Sequence, residues 1–198
     1  MEDLQQKIKS NSLKSGLLLG AILLVLSIFS FYMITGMASS LLTIILVPIV
    51  FSIIIPIGIV ILFCFDLRKK IGGYWNLRQA TTAIFIMFFA AYVIQYVGRD
   101  LIFAKLIEPN MVQKTQDVMV EATISMMEKN GVDQTQIDEK KAEIEKQFND
   151  QKNVTIGKII QGIVISIILM FVLALVFGAM FKKEPPLLAD TSYEDPVV

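Results

Sequence analysis

Residues 159–181 read IIQGIVISIILMFVLALVFGAMF, with no Asp, Glu, Lys or Arg between Lys158 and Lys182. At about 1.5 Å rise per residue this run makes a helix of ~35 Å, enough to cross the ~30 Å hydrocarbon core of a bilayer. Three more uncharged apolar stretches lie upstream, at 17–37, 41–65 and 81–98. Inside hydrocarbon every backbone N–H and C=O must be paired within its own segment, so each stretch is expected to be a helix. A chain of 198 residues is too short to bury four such helices on all faces in a soluble core. The expected fold is all-α: an integral membrane four-helix bundle with an extramembrane helical hairpin between spans three and four.

Lys and Arg in the short connections set the orientation. Lys7, Lys9 and Lys14 precede the first stretch, Arg68, Lys69, Lys70 and Arg78 lie between the second and third, and Lys182 and Lys183 follow the fourth. The expected organisation is therefore a cytoplasmic N-terminal segment (1–15), a first span (16–37), a second (41–65) and a basic cytoplasmic loop (66–80). A third helix (81–107) extends past the membrane, followed by an external helical hairpin (108–156), a fourth span (157–181) and a disordered cytoplasmic tail (182–198). Gly36 to Ser39 offer the small residues of a signal-peptide cleavage site, but the apolar run before them exceeds the ~7–15 residues of a signal-peptide core. The first stretch is expected to remain as a span. Tyr74 and Trp75 are expected at the inner membrane interface, and Tyr32 and Tyr96 at the outer one.

Composition excludes several chemistries. Eighteen Lys+Arg balance eighteen Asp+Glu, so no net basic field recruits nucleic acid. No His and a single Cys argue against a zinc centre, Ser-His catalysis or an intrachain disulfide. The apolar stretches lack the ionisable relays of pumps, ion-coupled carriers and voltage sensors. No catalytic residue, cofactor or metal is expected, and the chain is not read as an enzyme.

The segment 99–158 carries nine basic and eleven acidic residues. Pro109 is expected to end the third helix, because proline disfavours helical geometry at Glu108 before it. Met111, Thr115, Val118, Met119, Ala122 and Met126 share the spacing of one helical face, Asn130-Gly131 marks a turn, and Asp133 with Gln136 resembles a capping box. Ile137, Ile144 and Phe148 then lie along one side of a second helix. With so few apolar anchors the hairpin is expected to pack on the third helix, a second copy or another protein. Its methionines read as gap-filling side chains rather than copper ligands.

Within the spans, Gly16 and Gly20 form a G-x-x-x-G pair, and Gly162, Ser166, Ala174 and Gly178 recur at multiples of four. Small residues let helices approach closely in lipid, so these are the helix-packing candidates, either within the chain or toward another subunit. Pro48 and Pro56 are expected to kink the second span. Gln95 and Gln161 are the only amides in or at the edge of a span, and each is expected to make an interhelical hydrogen bond.

The basic loop runs into Gly72-Gly73-Tyr74 and Leu77-Arg78-Gln79-Ala80, and the third helix reaches Glu108-Pro109 before a charged helical stretch, a last span and a basic stop. In this order the chain resembles the Bacteroidota family of small four-span membrane proteins known as a domain of unknown function, over about residues 10 to 183. The resemblance implies the inner membrane of such bacteria and brings no activity or functional residue. The function expected is that of a non-catalytic accessory or scaffold subunit of a larger membrane assembly, in protein export or envelope maintenance. Its partners are the lipid bilayer and other membrane subunits or a second copy. The alternatives are a passive path for a small neutral solute along the kinked second span and the glutamines, and a lipid contact through Arg68, Lys69 and Lys70.

Overall fold

The computed structural model describes residues 2–37, 41–152 and 155–184. They form six helices: α1 Glu2–Met37, α2 Leu41–Ile71, α3 Leu77–Ile107, α4 Met111–Lys129, α5 Gln134–Lys152 and α6 Ile156–Phe181. Helices α1, α2, α3 and α6 are each long and apolar enough to cross a membrane. No breaker interrupts residues 4–16, so α1 begins at Glu2 and not at the edge of its apolar stretch. Its first turns are packed: Ile8, Ser12 and Ser15 are buried.

The connection between α2 and α3 is shorter than the 66–80 loop expected. Helix α2 continues through the basic residues to Ile71 and closes in a Schellman arrangement, with Gly73 N–H donating to the Arg68 carbonyl (2.9 Å) and Gly72 N–H to that of Lys69 (3.2 Å). Gly72 and Gly73 take φ of 123° and 84°, values that side-chain-bearing residues rarely adopt. Asn76 then opens α3 with a reciprocal box: its side chain accepts from Gln79 N–H (2.9 Å) and the Gln79 side chain accepts from Asn76 N–H (3.0 Å).

Helix α3 is the central post, with α1 on one side, parallel to it, and α6 on another, antiparallel; α2 packs mainly on α1. The approach of α1 is set by glycine. A Cβ on Gly16 would lie 2.5 Å from the Met87 carbonyl oxygen, and one on Gly20 would lie 2.7 Å from Ile94 Cβ and 2.9 Å from Ala91 Cα. Further along, Gly98 of α3 leaves room for Leu24, and Phe31 meets Phe103 edge-on at 5.6 Å. On the α6 side, a Cβ on Gly178 would fall 2.5 Å from Thr81 Oγ1, and Ala174 is fully buried. Beyond the packed glycines the bundle opens. Nothing lies within 4 Å of a Cβ at Gly162, Ser166 is half-buried, and Ile156, Ile160, Val164 and Ile168 are all exposed. The small-residue stripe of α6 is therefore packed against α3 only over the half nearer Phe181.

The prolines of α2 flank a wider turn. Between Pro48 and Pro56 the residues Val50–Ile54 form a π-helix, and Ile55 N–H donates to the Val50 carbonyl five residues back. Proline has no N–H to continue the ordinary ladder, and the π turn re-pairs the carbonyls around it. Helix α3 widens likewise over Tyr96–Ile107 and stops before Pro109, where Glu108 N–H donates to the Phe103 carbonyl at 2.7 Å.

Helices α4 and α5 are joined at Asn130-Gly131, where Gly131 (φ 69°) and Val132 N–H groups donate to the Glu128 and Met127 carbonyls, both at 3.0 Å. Asp133 caps α5 through Thr135 N–H (3.3 Å), and not through Gln136 as the box pattern suggested. Ala122, Ile137, Ile144 and Phe148 are buried between the two helices and their surroundings. Helix α4 also rests on α1 and α2, rather than on an extension of α3. The tail beyond residue 184 lies outside the described residues.

Valine at Gly16, Gly20 or Gly178 should destabilise the detergent-solubilised protein by about 1–3 kcal/mol each, since backbone would have to move to admit it. Valine at Gly162 should lie close to wild type. Thermal unfolding of the four variants reads this directly.

Candidate functional site

Among the described residues no three His, Cys, Asp or Glu side chains are arranged to hold a metal. The features with chemical content are a latch at the α2–α3 turn, a polar notch near the far end of the bundle, a groove on the α4–α5 hairpin, and a cleft along α1 and α3.

The latch forms because the short turn after Gly73 directs Trp75 inward. Trp75 is 1% exposed, and its indole Nε1 donates to the Phe181 carbonyl at 2.7 Å. Its backbone exchanges two hydrogen bonds with Lys183, at 2.9 and 3.1 Å. Trp75 is thus a buried clasp on the end of α6, rather than the interfacial belt residue expected; Tyr74 beside it is exposed, with Lys183 Nζ 5.4 Å from its ring centroid. Arg68 donates to the same Phe181 carbonyl at 3.4 Å and lies 5.3 Å from the Phe65 ring centroid. A cation at the carbonyl end of a helix is favourable, so the latch satisfies the last turn of α6 and fixes residues 182–184 against the bundle. Cys64 and Leu67 are fully buried in the same cluster.

The notch has a volume of about 170 Å³ and is lined by Leu23 and Ser27 of α1, Phe51, Ser52 and Pro56 of α2, and Gln95 and Arg99 of α3. Both π segments border it. Its polar lining comes from Ser27, Ser52, Gln95 and Arg99. Gln95 Nε2 donates to the Gly20 carbonyl at 3.3 Å, bracing the α1–α3 contact. Gln161 is exposed and is not among the residues that line the notch.

The hairpin groove, about 560 Å³, runs between α4 and α5. Asp117, Glu121, Glu128 and Glu145 line it with a single cation, Lys141, around Val120 and Ile124.

The family described as "Protein of unknown function (DUF4199)" matches residues 14–183. The chain belongs to this family. No curated protein and no solved structure matches it. The span shared with the DUF4199 family starts two residues before Gly16 and ends at Lys183, the residue whose backbone pairs with Trp75. It therefore takes in both glycine contacts of α1, the latch and the notch.

Of the residues singled out by sequence, the structure brings Gly16, Gly20, Ala174 and Gly178 onto α3, and leaves Gly162 without a neighbour. Pro48 and Pro56 bracket the π turn and Pro109 follows the end of α3. The buried position of Trp75 differs from the interfacial one expected, although the order Trp-Asn-Leu-Arg before Gln79 carries the signal of a helix start and hence of a tight turn. Trp75→Ala should cost about 3–5 kcal/mol and open Cys64 to maleimide. Trp75→Phe, which removes the donor and keeps the ring, should cost about 1 kcal/mol and leave Cys64 protected.

Proposed function

We propose that this DUF4199 protein is a non-catalytic, multi-pass inner membrane subunit that works by holding a partner on the α4–α5 hairpin. The orientation follows from the lysines and arginines: both termini and the α2–α3 turn are cytoplasmic, and the hairpin stands outside. Two helices support one outer boundary. Gly178 lies against Thr81 in antiparallel helices, and Lys158 is twenty residues from Gly178 while Arg99 is eighteen from Thr81. At ~1.5 Å per residue the two charges stand at nearly the same height. The twenty uncharged residues between Arg78 and Arg99 span ~30 Å, the thickness of the hydrocarbon core.

The observation that carries the reading is the hairpin groove, with four carboxylates and one lysine around Val120 and Ile124. An acidic groove with an apolar floor suits a basic amphipathic helix laid along it, where charge sets encounter and orientation and the floor supplies burial. The hairpin's own core is small, so such a partner would add to it. This is the role of an accessory or scaffold subunit in a bacterial inner membrane assembly, serving protein export or envelope maintenance.

Gentle detergent extraction of the full-length protein followed by mass spectrometry should recover a membrane partner with a basic outward helix. Glu121→Lys with Asp117→Lys should reduce its recovery at least tenfold while leaving the melting temperature unchanged. A lone monomer from wild type, or undiminished recovery with the double variant, would contradict the proposal.

A further inference from the structure

The cations on the inner side of the bundle are not equivalent. Arg68 is held on the Phe181 carbonyl and the Phe65 ring, and Lys70 is paired with Asp66 at 2.6 Å. Lys9 and Arg78 instead line a cavity of about 320 Å³ together with Gln5, Ile8, Asn76, Gln79 and Thr82. Among residues 4–36, 41–149 and 155–184 no carboxylate lines this cavity or lies within ion-pair distance of either cation.

A second cavity continues the first along the same two helices. It measures about 220 Å³ and is lined only by apolar side chains: Leu13 and Leu17 of α1, with Phe85, Ile86, Phe89, Ala90 and Val93 of α3. The two belong to one stripe. On α1 the lining residues advance by fours (Gln5, Lys9, Leu13, Leu17), and on α3 Arg78, Thr82, Ile86, Phe89 and Val93 keep to one face. From Arg78 to Val93 the stripe extends ~22 Å, about three quarters of the ~30 Å core. It is cationic and amide-lined at the end where Arg78 marks the inner boundary, and wholly apolar from there toward the middle.

We propose that this α1–α3 cleft binds one anionic phospholipid of the inner leaflet, its phosphate between Lys9 and Arg78 and one acyl chain along Leu13, Leu17, Phe85 and Phe89. A basic pocket between spanning helices on the cytoplasmic side attracts an anionic headgroup, and the adjoining slot removes chain surface from competition with bulk lipid. Polarity changes along the cleft in the order in which it changes along a phospholipid. The site is separate from the hairpin groove, and its loss leaves the partner proposal standing.

Native mass spectrometry of the full-length protein in mild detergent tests it, with phosphatidylglycerol, phosphatidylcholine and inorganic phosphate as probes. Wild type should retain phosphatidylglycerol at least fivefold over phosphatidylcholine, with retention falling as salt rises. Lys9→Gln, an exposed change on α1, and Arg78→Gln should each remove most of this preference, whereas Lys140→Gln should not. Val93→Trp, which fills the apolar slot without altering charge, should lower retention of both lipids. Equal retention of the two lipids by wild type would overturn the proposal, as would an unaltered preference in Lys9→Gln. Displacement of the lipid by millimolar inorganic phosphate would assign the cations to a soluble phosphate instead and overturn the lipid as occupant.

Discussion

The architecture depends on the backbone of α3 being approached closely from two sides. In lipid, helices gain nothing from burying apolar surface against each other, so contact area and backbone proximity decide which pairs associate. Gly16 and Gly20 bring α1 onto Met87–Ile94, and Gly178 brings α6 onto Thr81. The alanines of α3 complete these seams: Ala80, Ala83, Ala90 and Ala91 are all buried. Small residues alone do not hold α6: in the half nearer Ile156, a Cβ at Gly162 would have nothing within 4 Å, and Ile156, Ile160, Val164 and Ile168 are exposed.

The glycine contacts also set a stagger. Residues of α1 meet residues of α3 some 71 to 74 positions later, as in Gly16–Met87, Leu24–Gly98 and Phe31–Phe103. The apolar stretch of α1 is consequently shifted along α3 toward its Ile107 end. Its last turns and the first turns of α2 rise past Gly98, and α4 packs on that exposed apolar tip. At the other end the stagger draws Gln5 and Lys9 beside Arg78 and Thr82, so one set of contacts shapes both the hairpin's seat and the basic cavity.

Much of this was legible in the residues. Uncharged length alone marks the four apolar helices, and Pro109 and Asn130-Gly131 punctuate the chain where their backbone chemistry requires. The stagger was not legible, because periodicity within one helix carries no information about its register against another. Gly162 looked like Gly178 for the same reason: spacing identifies a small face, and only the partner's position decides whether it is used. Residues 1–15 are expected as a segment apart from the first span, yet polar residues of ordinary helix propensity simply continue a helix nucleated by the apolar run, and α1 begins at Glu2. The general preference of tryptophan for a membrane interface does not hold for Trp75, which is buried. Two successive positive-φ glycines turn it inward, a local backbone effect that outweighs the general preference.

The register of α1 against α3 is the claim from which the seat of the hairpin and the Lys9–Arg78 cavity both follow, and pairwise cysteine cross-linking reads it most directly. In a Cys64→Ser background, Phe31→Cys with Phe103→Cys should form a disulfide rapidly under mild oxidation in native membranes. Phe31→Cys with Gln95→Cys, the pairing expected if the apolar stretches were level, should not. Efficient linking of the second pair and none of the first would contradict the account.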